Sequence, residues 1–387
     1  MPAKKHWEPL IFKNTSLTRE QFLADYWQKK PLLIRQALPG FAPELDSNDI
    51  AGLACDELAE SRLITGSFPE QDWQVRYGPF TDKDFSKLPD ARWTLLVQDV
   101  EKHYPPLQSL MSRFSFLPRW RIDDLMVSVA GPGGSVGPHV DQYDVFLLQA
   151  EGSRHWKISE SYDGELLPDC ELKVLRHFSA EQEWLLEPGD MLYLPPGVAH
   201  HGVAQDTGMT WSIGMRAPSA ADLFLALGEW LAEKEDEGGR YRDPELSAAL
   251  QYGEVDLAAI NRFGDFLHSP VQGDREFRSF LGTFLSRYRL AHDPAAPASV
   301  LKPAALLKAL NGGKKLRHNP WSRLLWIVDG QGARVFAAGA EYSCDVDFAR
   351  TLCDPERLCR VDRSLPDSEV ALLCEFLNRG HLYLEQL

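Results

Sequence analysis

The chain has 387 residues, 44% hydrophobic and 25% charged, with 41 Lys+Arg against 56 Asp+Glu and a formal net charge of −15. That length allows two or three cores, the composition is that of an ordinary globular protein, and no run approaches the ~18 apolar residues of a membrane helix. The negative balance argues against wrapping nucleic acid, which needs a clustered positive surface, and six scattered cysteines without CxxC spacing read as reduced thiols.

The first nine residues carry Lys4 and Lys5 but neither the apolar stretch nor the cleavage site of a secretory signal, so a cytoplasmic protein is expected. Thr18-Arg-Glu-Gln21 is a capping box followed by Phe22, Leu23, Tyr26 and Trp27 at helical spacing, predicting a helix that ends near Gln28. Residues 30–35 read as a strand joining the central sheet. Beyond them a helix is expected from residue 46, a strand at 61–65, a hairpin at 73–80, a buried segment at 93–100 and a helix over 105–118.

Residues 121–129 form a strand feeding a glycine-rich loop, and alternation puts Asp124, Met126 and Ser128 on one face. His139-Val-Asp141 then opens a run to Gln149 rich in β-branched and aromatic residues, read as one strand with His139, Asp141 and Tyr143 on a common face. About sixty residues later the spacing Gly189-x5-Pro195-x-Gly197-x2-His200 predicts a turn that aims an imidazole back into a barrel. Two histidines and one carboxylate on one side of a metal leave open positions, as in non-haem Fe(II) oxygenases, whereas zinc more often takes three histidines or cysteines. A satisfied core histidine is the plainer reading of either motif alone; the two together specify a metal. His201 is the rival ligand, but a strand leaving the turn points adjacent rings to opposite faces, which favours His200.

Further short strands at 154–158, 172–178, 183–187 and 209–215, separated by Gly/Pro turns, predict a mostly β core: a double-stranded β-helix of the jelly-roll or cupin kind. Fe(II) in such a site needs a co-substrate that supplies two electrons. A 2-oxo acid such as 2-oxoglutarate can chelate two positions, leave one for O2, and anchor its far carboxylate on a fixed arginine. Arg154 is the candidate, with Ser128 as a supporting hydrogen-bond donor; the alternative is a surface arginine paired with Glu151.

Pro218 marks a change of composition. A helix from Ser219 carries Leu223, Leu227, Trp230 and Leu231 and ends in an acidic run at 233–237, read as a solvated helix end. Helical segments at 254–268 and 274–290 complete a region read as a homodimer interface, the alternative being that these helices only pack on the barrel. After a linker at 291–299 come a helix at 303–311, a hairpin around Asp329-Gly-Gln-Gly332, and helices near 345–353 and 367–380, an arrangement like a winged-helix domain. From residue 296 on, 12 Lys+Arg face 11 Asp+Glu, leaving 29 against 45 before it, a balance of −16. The C-terminal domain is therefore read as a partner-contacting or structural module, and the acidic part as attractive to a basic protein or peptide.

The runs Trp120-Arg-Ile-Asp-Asp-Leu-Met-Val-Ser128, Gly-Pro-His139-Val-Asp141-Gln-Tyr-Asp-Val-Phe146 and Glu187-Pro-Gly-Asp-Met-Leu-Tyr-Leu-Pro-Pro-Gly197 resemble the bacterial ribosomal oxygenases of the JmjC class. With Trp27-Gln-Lys-Lys-Pro31 and the domain order, the resemblance covers essentially the whole chain. It implies a JmjC barrel at 1–217, a helical dimerisation region at 218–295 and a winged-helix-like α+β domain at 296–387. It also implies hydroxylation of an arginine β-carbon in a large-subunit ribosomal protein, with His139, Asp141 and His200 holding Fe(II) and with Arg154 and Ser128 holding 2-oxoglutarate. For the entering arginine, Asp124 and Tyr143 are the candidates to line the mouth. Two other readings are carried: the same chemistry on a histidine of another protein or on a small molecule, and a non-catalytic metal-binding cupin scaffold. Neither direct nucleic-acid binding nor membrane contact is expected.

Overall fold

The protein, a computed structural model, is described for residues 12, 15–233, 241–242, 255–268, 274–290, 292–361 and 365–385. The N-terminal lysines and the acidic run beyond Glu233 lie outside the described residues. The chain divides into two units, Met1–Ala217 and Pro218–Leu387.

In the first unit, α1 (Arg19–Asp25) starts at the expected box: the Thr18 hydroxyl accepts from the Gln21 N–H, and the Gln21 amide oxygen accepts from the Thr18 N–H. Such a cap is worth about 1 kcal/mol. Then follow β1 (Leu32–Ile34), α2 (Ser47–Leu53), β2 (Ser61–Thr65), β3 (Gln74–Tyr77), α3 (Asp82–Phe85), β4 (Trp93–Val97), α4 (Val100–His103) and α5 (Gln108–Met111). The remaining strands are β5 (Ile122–Ala130), β6 (His139–Val140), β7 (Asp144–Glu151), β8 (Arg154–Ser159), β9 (Gln182–Leu186), β10 (Met191–Leu194), β11 (Ala199–Ala204) and β12 (Gly208–Met215).

They make an eight-stranded sheet in the order β1-β10-β7-β12-β5-β4-β2-β3 and a four-stranded sheet in the order β6-β11-β8-β9. Alternation along β7 and β10 builds two cores. Val145, Leu147, Leu192 and Leu194 pack with Trp156, Ile158 and Leu186 of the smaller sheet, filling the space between the sheets. Phe146, Leu148, Met191 and Tyr193 turn the other way, into a core shared with Phe22, Ile50 and Phe114. Burial on both faces is why β7 reads as a nearly continuous apolar run. The first unit is thus the expected double-stranded β-helix, with the functional side chains drawn from its inner faces.

Several local expectations change. The run 139–149 is not one strand: the chain leaves the four-stranded sheet after Val140 and enters the eight-stranded sheet at Asp144. Residues 105–118 are not one helix; 3₁₀ turns at Pro105–Leu107 and Ser112–Phe114 flank the four-residue α5. Pro105 and Pro106 supply no N–H, and the tightened turns bury Leu107, Leu110, Met111 and Phe114 together. Residues 172–178 contribute only the bridge between Leu166 and Leu175. The partner of β3 is β2, so the hairpin spans 61–77 rather than 73–80.

The second unit contains α6 (Ala220–Ala232), capped by Ser219, then α7 (Leu257–His268) and α8 (Asp274–Arg287). Beyond them lie α9 (Pro303–Asn311), β13 (Lys315–His318), β14 (Leu324–Asp329), β15 (Gly332–Ala337), β16 (Ala340–Cys344), α10 (Val346–Cys353), α11 (Pro355–Leu358), α12 (Asp367–Asn378) and β17 (Leu382–Glu385). β14, β15 and β16 form a meander and β13 pairs with β17, with Leu306, Val335, Leu352, Leu373 and Phe376 in their core. All six cysteines are free. Among the described residues no helix is long and apolar enough to cross a membrane.

Candidate metal centre and its flanking charges

His139 of β6 stands directly opposite His200 of β11 in an antiparallel pair, so both rings leave the same face of the small sheet. Their centroids are 4.2 Å apart. Asp141 lies past the end of β6 yet keeps the pleat, because its carbonyl accepts the Gly197 N–H at 2.8 Å and ties the β10–β11 turn against it. Gly197 itself sits at φ 84°, in the left-handed region that glycine adopts without strain. Asp141 Oδ2 is 3.9 Å from His139 Nε2 and 3.6 Å from His200 Nε2, and one donor atom from each residue falls within 4.8 Å of the others.

The tautomers suit a metal. Nδ1 of His139 faces the Gly137 carbonyl at 2.9 Å and Nδ1 of His200 faces the Val198 carbonyl at 3.0 Å. Each Nδ1–H is therefore a donor to backbone, which leaves both Nε2 lone pairs turned toward the carboxylate. Burial, reinforced by the neighbouring His139, holds His200 down at about 4, so it is a neutral imidazole at physiological pH. His201 points to the opposite face, between Phe68 and Phe178 at 5.6 and 6.0 Å. Two imidazoles and one carboxylate, crowded together without a Lys or Arg between them, fit a divalent metal of the Fe(II) type.

Arg154 opens β8 and is only 6% exposed, which removes the surface-arginine alternative. Nη1 donates to the Ser128 hydroxyl and the Thr210 hydroxyl at 3.3 Å each, and Nη2 to the Gly134 carbonyl at 3.4 Å. Its Nε has no partner, and among the described residues no carboxylate pairs with it. Burial lowers its pKa only to about 10, so a full cation is enclosed without a counter-ion. An uncompensated buried charge is costly unless an anion joins it. A carboxylate of a bound co-substrate fits that need.

Thr210 and Gln149 are functional positions that sequence reasoning missed. Thr210 pairs with Ser128 across β12 and β5, and its hydroxyl donates to Gln149 Oε1 at 3.0 Å. The available signal for Thr210 was the alternation of polar Thr210 and Ser212 with apolar Met209, Trp211 and Ile213, which puts Thr210 on the polar face of the strand.

Asp124 shares the inner face of β5 with Ser128, four residues or about 13 Å along the strand. It is 7% exposed; among the described residues no hydrogen bond engages its carboxyl, and the positive charges of Arg216 and Lys102 attract it. The acids around it are accounted for: Lys102 pairs with Asp99, Arg216 pairs with Asp123, and Glu101 accepts the Leu125 N–H at 2.9 Å. Burial, and then the negative Asp123, pushes the Asp124 carboxyl up. Tyr143 lies in the crossing between β6 and β7 rather than on a strand face. It lies near the site all the same: burial, and then the negative Asp141, pushes its hydroxyl pKa up, and Arg216 lies 5.5 Å over its ring.

Comparison with known proteins gives two family matches: a JmjC domain over residues 109–223 and a ROXA-like winged helix over residues 265–383. The ribosomal protein uL16 3-hydroxylase of Escherichia coli strain K12 is 34% identical over 315 residues, 81% of this chain and 83% of that one. A probable ribosomal oxygenase of Haemophilus influenzae is 40% identical over 234 residues, 60% and 55% of the two chains. The E. coli ribosomal oxygenase YcfD in complex with cobalt and 2-oxoglutarate superposes with a TM-score of 0.82 at 31% identity, covering 96% of this chain and 99% of that one. An X-ray structure of E. coli YcfD reaches a TM-score of 0.86 over the same coverage.

Proposed function

The chain belongs to the JmjC ribosomal oxygenases, and from that membership we propose that it hydroxylates the β-carbon of an arginine in a large-subunit ribosomal protein. The uL16 protein named for the E. coli relative is the first substrate to try. The observation that carries the proposal is the His139, Asp141 and His200 cluster together with a buried cation, Arg154, that has no carboxylate partner among the described residues, and a buried carboxyl, Asp124, that has no hydrogen bond among them.

Fe(II) with 2-oxoglutarate and O2 supplies the oxidant, one oxygen atom going to the substrate C–H and the other to succinate as CO2 leaves. His139, Asp141 and His200 hold the metal on one side and leave the other open. Arg154, steadied by Ser128 and Thr210, takes the far carboxylate of 2-oxoglutarate in a dry pocket, where a charge-assisted fork is strongest. Asp124 receives the substrate guanidinium, and Tyr143, which feels the charge of Asp141, lines the same mouth. The walls of Leu147, Trp156, Ile158 and Leu192 keep water from the reacting atoms. A cation-seeking carboxylate favours arginine over a neutral histidine, which sets this reading above histidine hydroxylation.

The protein acts in the cytoplasm as a homodimer, engages its substrate by charge rather than by binding nucleic acid, and uses the winged-helix unit for partner contact. Its domains divide at 217/218 and 295/296. The dimer reading is supported by an exposed apolar stripe on α7, where Leu257, Ile260, Phe263 and Leu267 follow each other at helical spacing.

The test is anaerobic loading with Fe(II), then O2, 2-oxoglutarate and peptides of the large-subunit protein, read by succinate release and mass spectrometry. One added oxygen on arginine, absent in His200→Ala, is the expected result. Succinate without peptide modification would leave an oxygenase but remove this substrate, and no succinate at all would leave a scaffold.

A further inference from the structure

We propose that a bulge in β5 at Asp123 and Asp124, held by Glu101 and admitted by Gly214, presents Asp124 to the substrate cation and so sets the preference for arginine. The proposal rests on the reading of Asp124 as the guanidinium receptor.

The register shows the bulge. β12 pairs Ile213 with Leu125 and Met215 with Ile122, so β5 takes three steps where β12 takes two. One residue too many on β5 is left out of the ladder, and a bulge of this kind re-aims a side chain beside an active site. From Leu125 to Val129 the pairing with β12 is regular, so the irregularity is confined to the acidic pair.

Two neighbours make the bulge possible. The Leu125 N–H, at its edge, donates to Glu101 Oε2 of α4 at 2.9 Å, and Glu101 is 2% exposed. Without that acceptor a buried N–H would lack a partner. Burial pushes the Glu101 carboxyl up to about 8 and the Asp124 carboxyl up to about 7, so near neutral pH the two do not both carry a full negative charge, and an arriving guanidinium favours the ionised Asp124. Opposite the bulge, Gly214 lies between β5 and Val145 of β7. A Cβ there would stand 2.9 Å from Asp124 Oδ1, so a side chain at 214 displaces the carboxylate.

Lys102 pairs with Asp99 and Arg216 with Asp123; both cations also attract Asp124, whose carboxyl has no hydrogen bond among the described residues. A fixed carboxylate can accept two parallel N–H bonds from a guanidinium, which a lysine ammonium cannot offer. Glu101 and Gly214 are therefore positioning residues, acting on substrate through Asp124.

The experiment compares Glu101→Gln, Glu101→Leu and Gly214→Ala with wild type and Asp124→Asn. The substrates are an arginine peptide and the same peptide with lysine in its place. Peptide KM and kcat, succinate formed per hydroxylated peptide, 2-oxoglutarate affinity of the Co(II)-loaded enzyme without peptide, and thermal midpoint are read for each. Glu101→Gln should stay near wild type, because the amide oxygen accepts the same N–H. Glu101→Leu and Gly214→Ala should raise the arginine-peptide KM about tenfold, the scale of one weakened charge-assisted hydrogen bond, and release excess succinate while 2-oxoglutarate affinity holds. Unchanged peptide KM in folded Glu101→Leu, or Glu101→Gln as impaired as Glu101→Leu, overturns the positioning role; if Glu101→Leu does not fold, Gly214→Ala decides. Loss in Asp124→Asn alone removes only Glu101 and Gly214 from the account, whereas a normal KM in Asp124→Asn removes the receptor itself.

Discussion

Arg154 is enclosed at 6% exposure with three neutral hydrogen-bond partners and no carboxylate. In the absence of co-substrate such a group is a stability cost, since a buried charge left uncompensated is destabilising. Arg154→Met keeps the length and apolar stem while removing the charge. It should raise the thermal midpoint of the ligand-free protein and raise the 2-oxoglutarate KM by at least about a hundredfold, a loss of roughly 3 kcal/mol that matches one forked charge-assisted interaction. Arg154→Lys should fall between, because an ammonium cannot reach the Ser128 and Thr210 hydroxyls and a carboxylate with one planar fork. Calorimetry of the ligand-free variants and succinate kinetics check both halves. A lower midpoint in Arg154→Met would mean that the guanidinium is needed for packing, for instance against Trp156 at 5.5 Å.

The crossing from β6 to β7 is the element on which the metal centre depends. Asp144 enters the eight-stranded sheet with no exposure and accepts from Arg121 Nη2 at 2.8 Å, the Tyr193 hydroxyl at 2.6 Å and Gln28 Nε2 at 2.9 Å. Trp27 stacks on Tyr193, and Arg121 lies 5.1 Å over Trp27, so α1's exit, β10 and the approach to β5 all converge on one carboxylate. Asp141 is three residues upstream. Asp144→Asn breaks the buried pair with Arg121 and should cost about 3–5 kcal/mol, read as a lower denaturation midpoint, and should weaken Co(II) binding because Asp141 loses its anchor. The sequence made the His139, Asp141 and His200 cluster legible because period-2 spacing and a Gly/Pro turn are local features. It hid the crossing, because the residues from 139 to 149 satisfy a strand pattern on both sides of a switch that only long-range pairing specifies. Thr210, Gln149 and Glu101 were hidden for the same reason: each acquires its role from a partner dozens of residues away, through sheet register or helix docking. Asp124 was legible as a face, but the bulge that frees it was not.

At the scale of the whole molecule two associations draw on the same charge with opposite sign. The chain carries −15, and the part before residue 296 holds −16 of it by the count of 29 Lys+Arg against 45 Asp+Glu. If the proposed ribosomal-protein substrate is basic, it approaches down that potential, and raising salt should then lower kcat/KM for the whole substrate, mainly through a slower encounter. Two copies of this chain repel one another through the same field, and the proposed dimer would rest on apolar surface: Leu257 at 71% and Leu267 at 70% exposure end the α7 stripe, and Phe224 of α6 is 72% exposed. Salt screens the repulsion without weakening apolar burial, so self-association should tighten as substrate encounter slows. Leu257→Glu with Leu267→Glu places charge on that stripe and should yield a monomer in sedimentation velocity at micromolar concentration. Peptide-independent succinate formation should survive, since each cluster of His139, Asp141 and His200 is built within one chain. A double variant that remains dimeric would place the interface elsewhere, and self-association that weakens with salt would show that ion pairs, rather than this stripe, hold the two copies together.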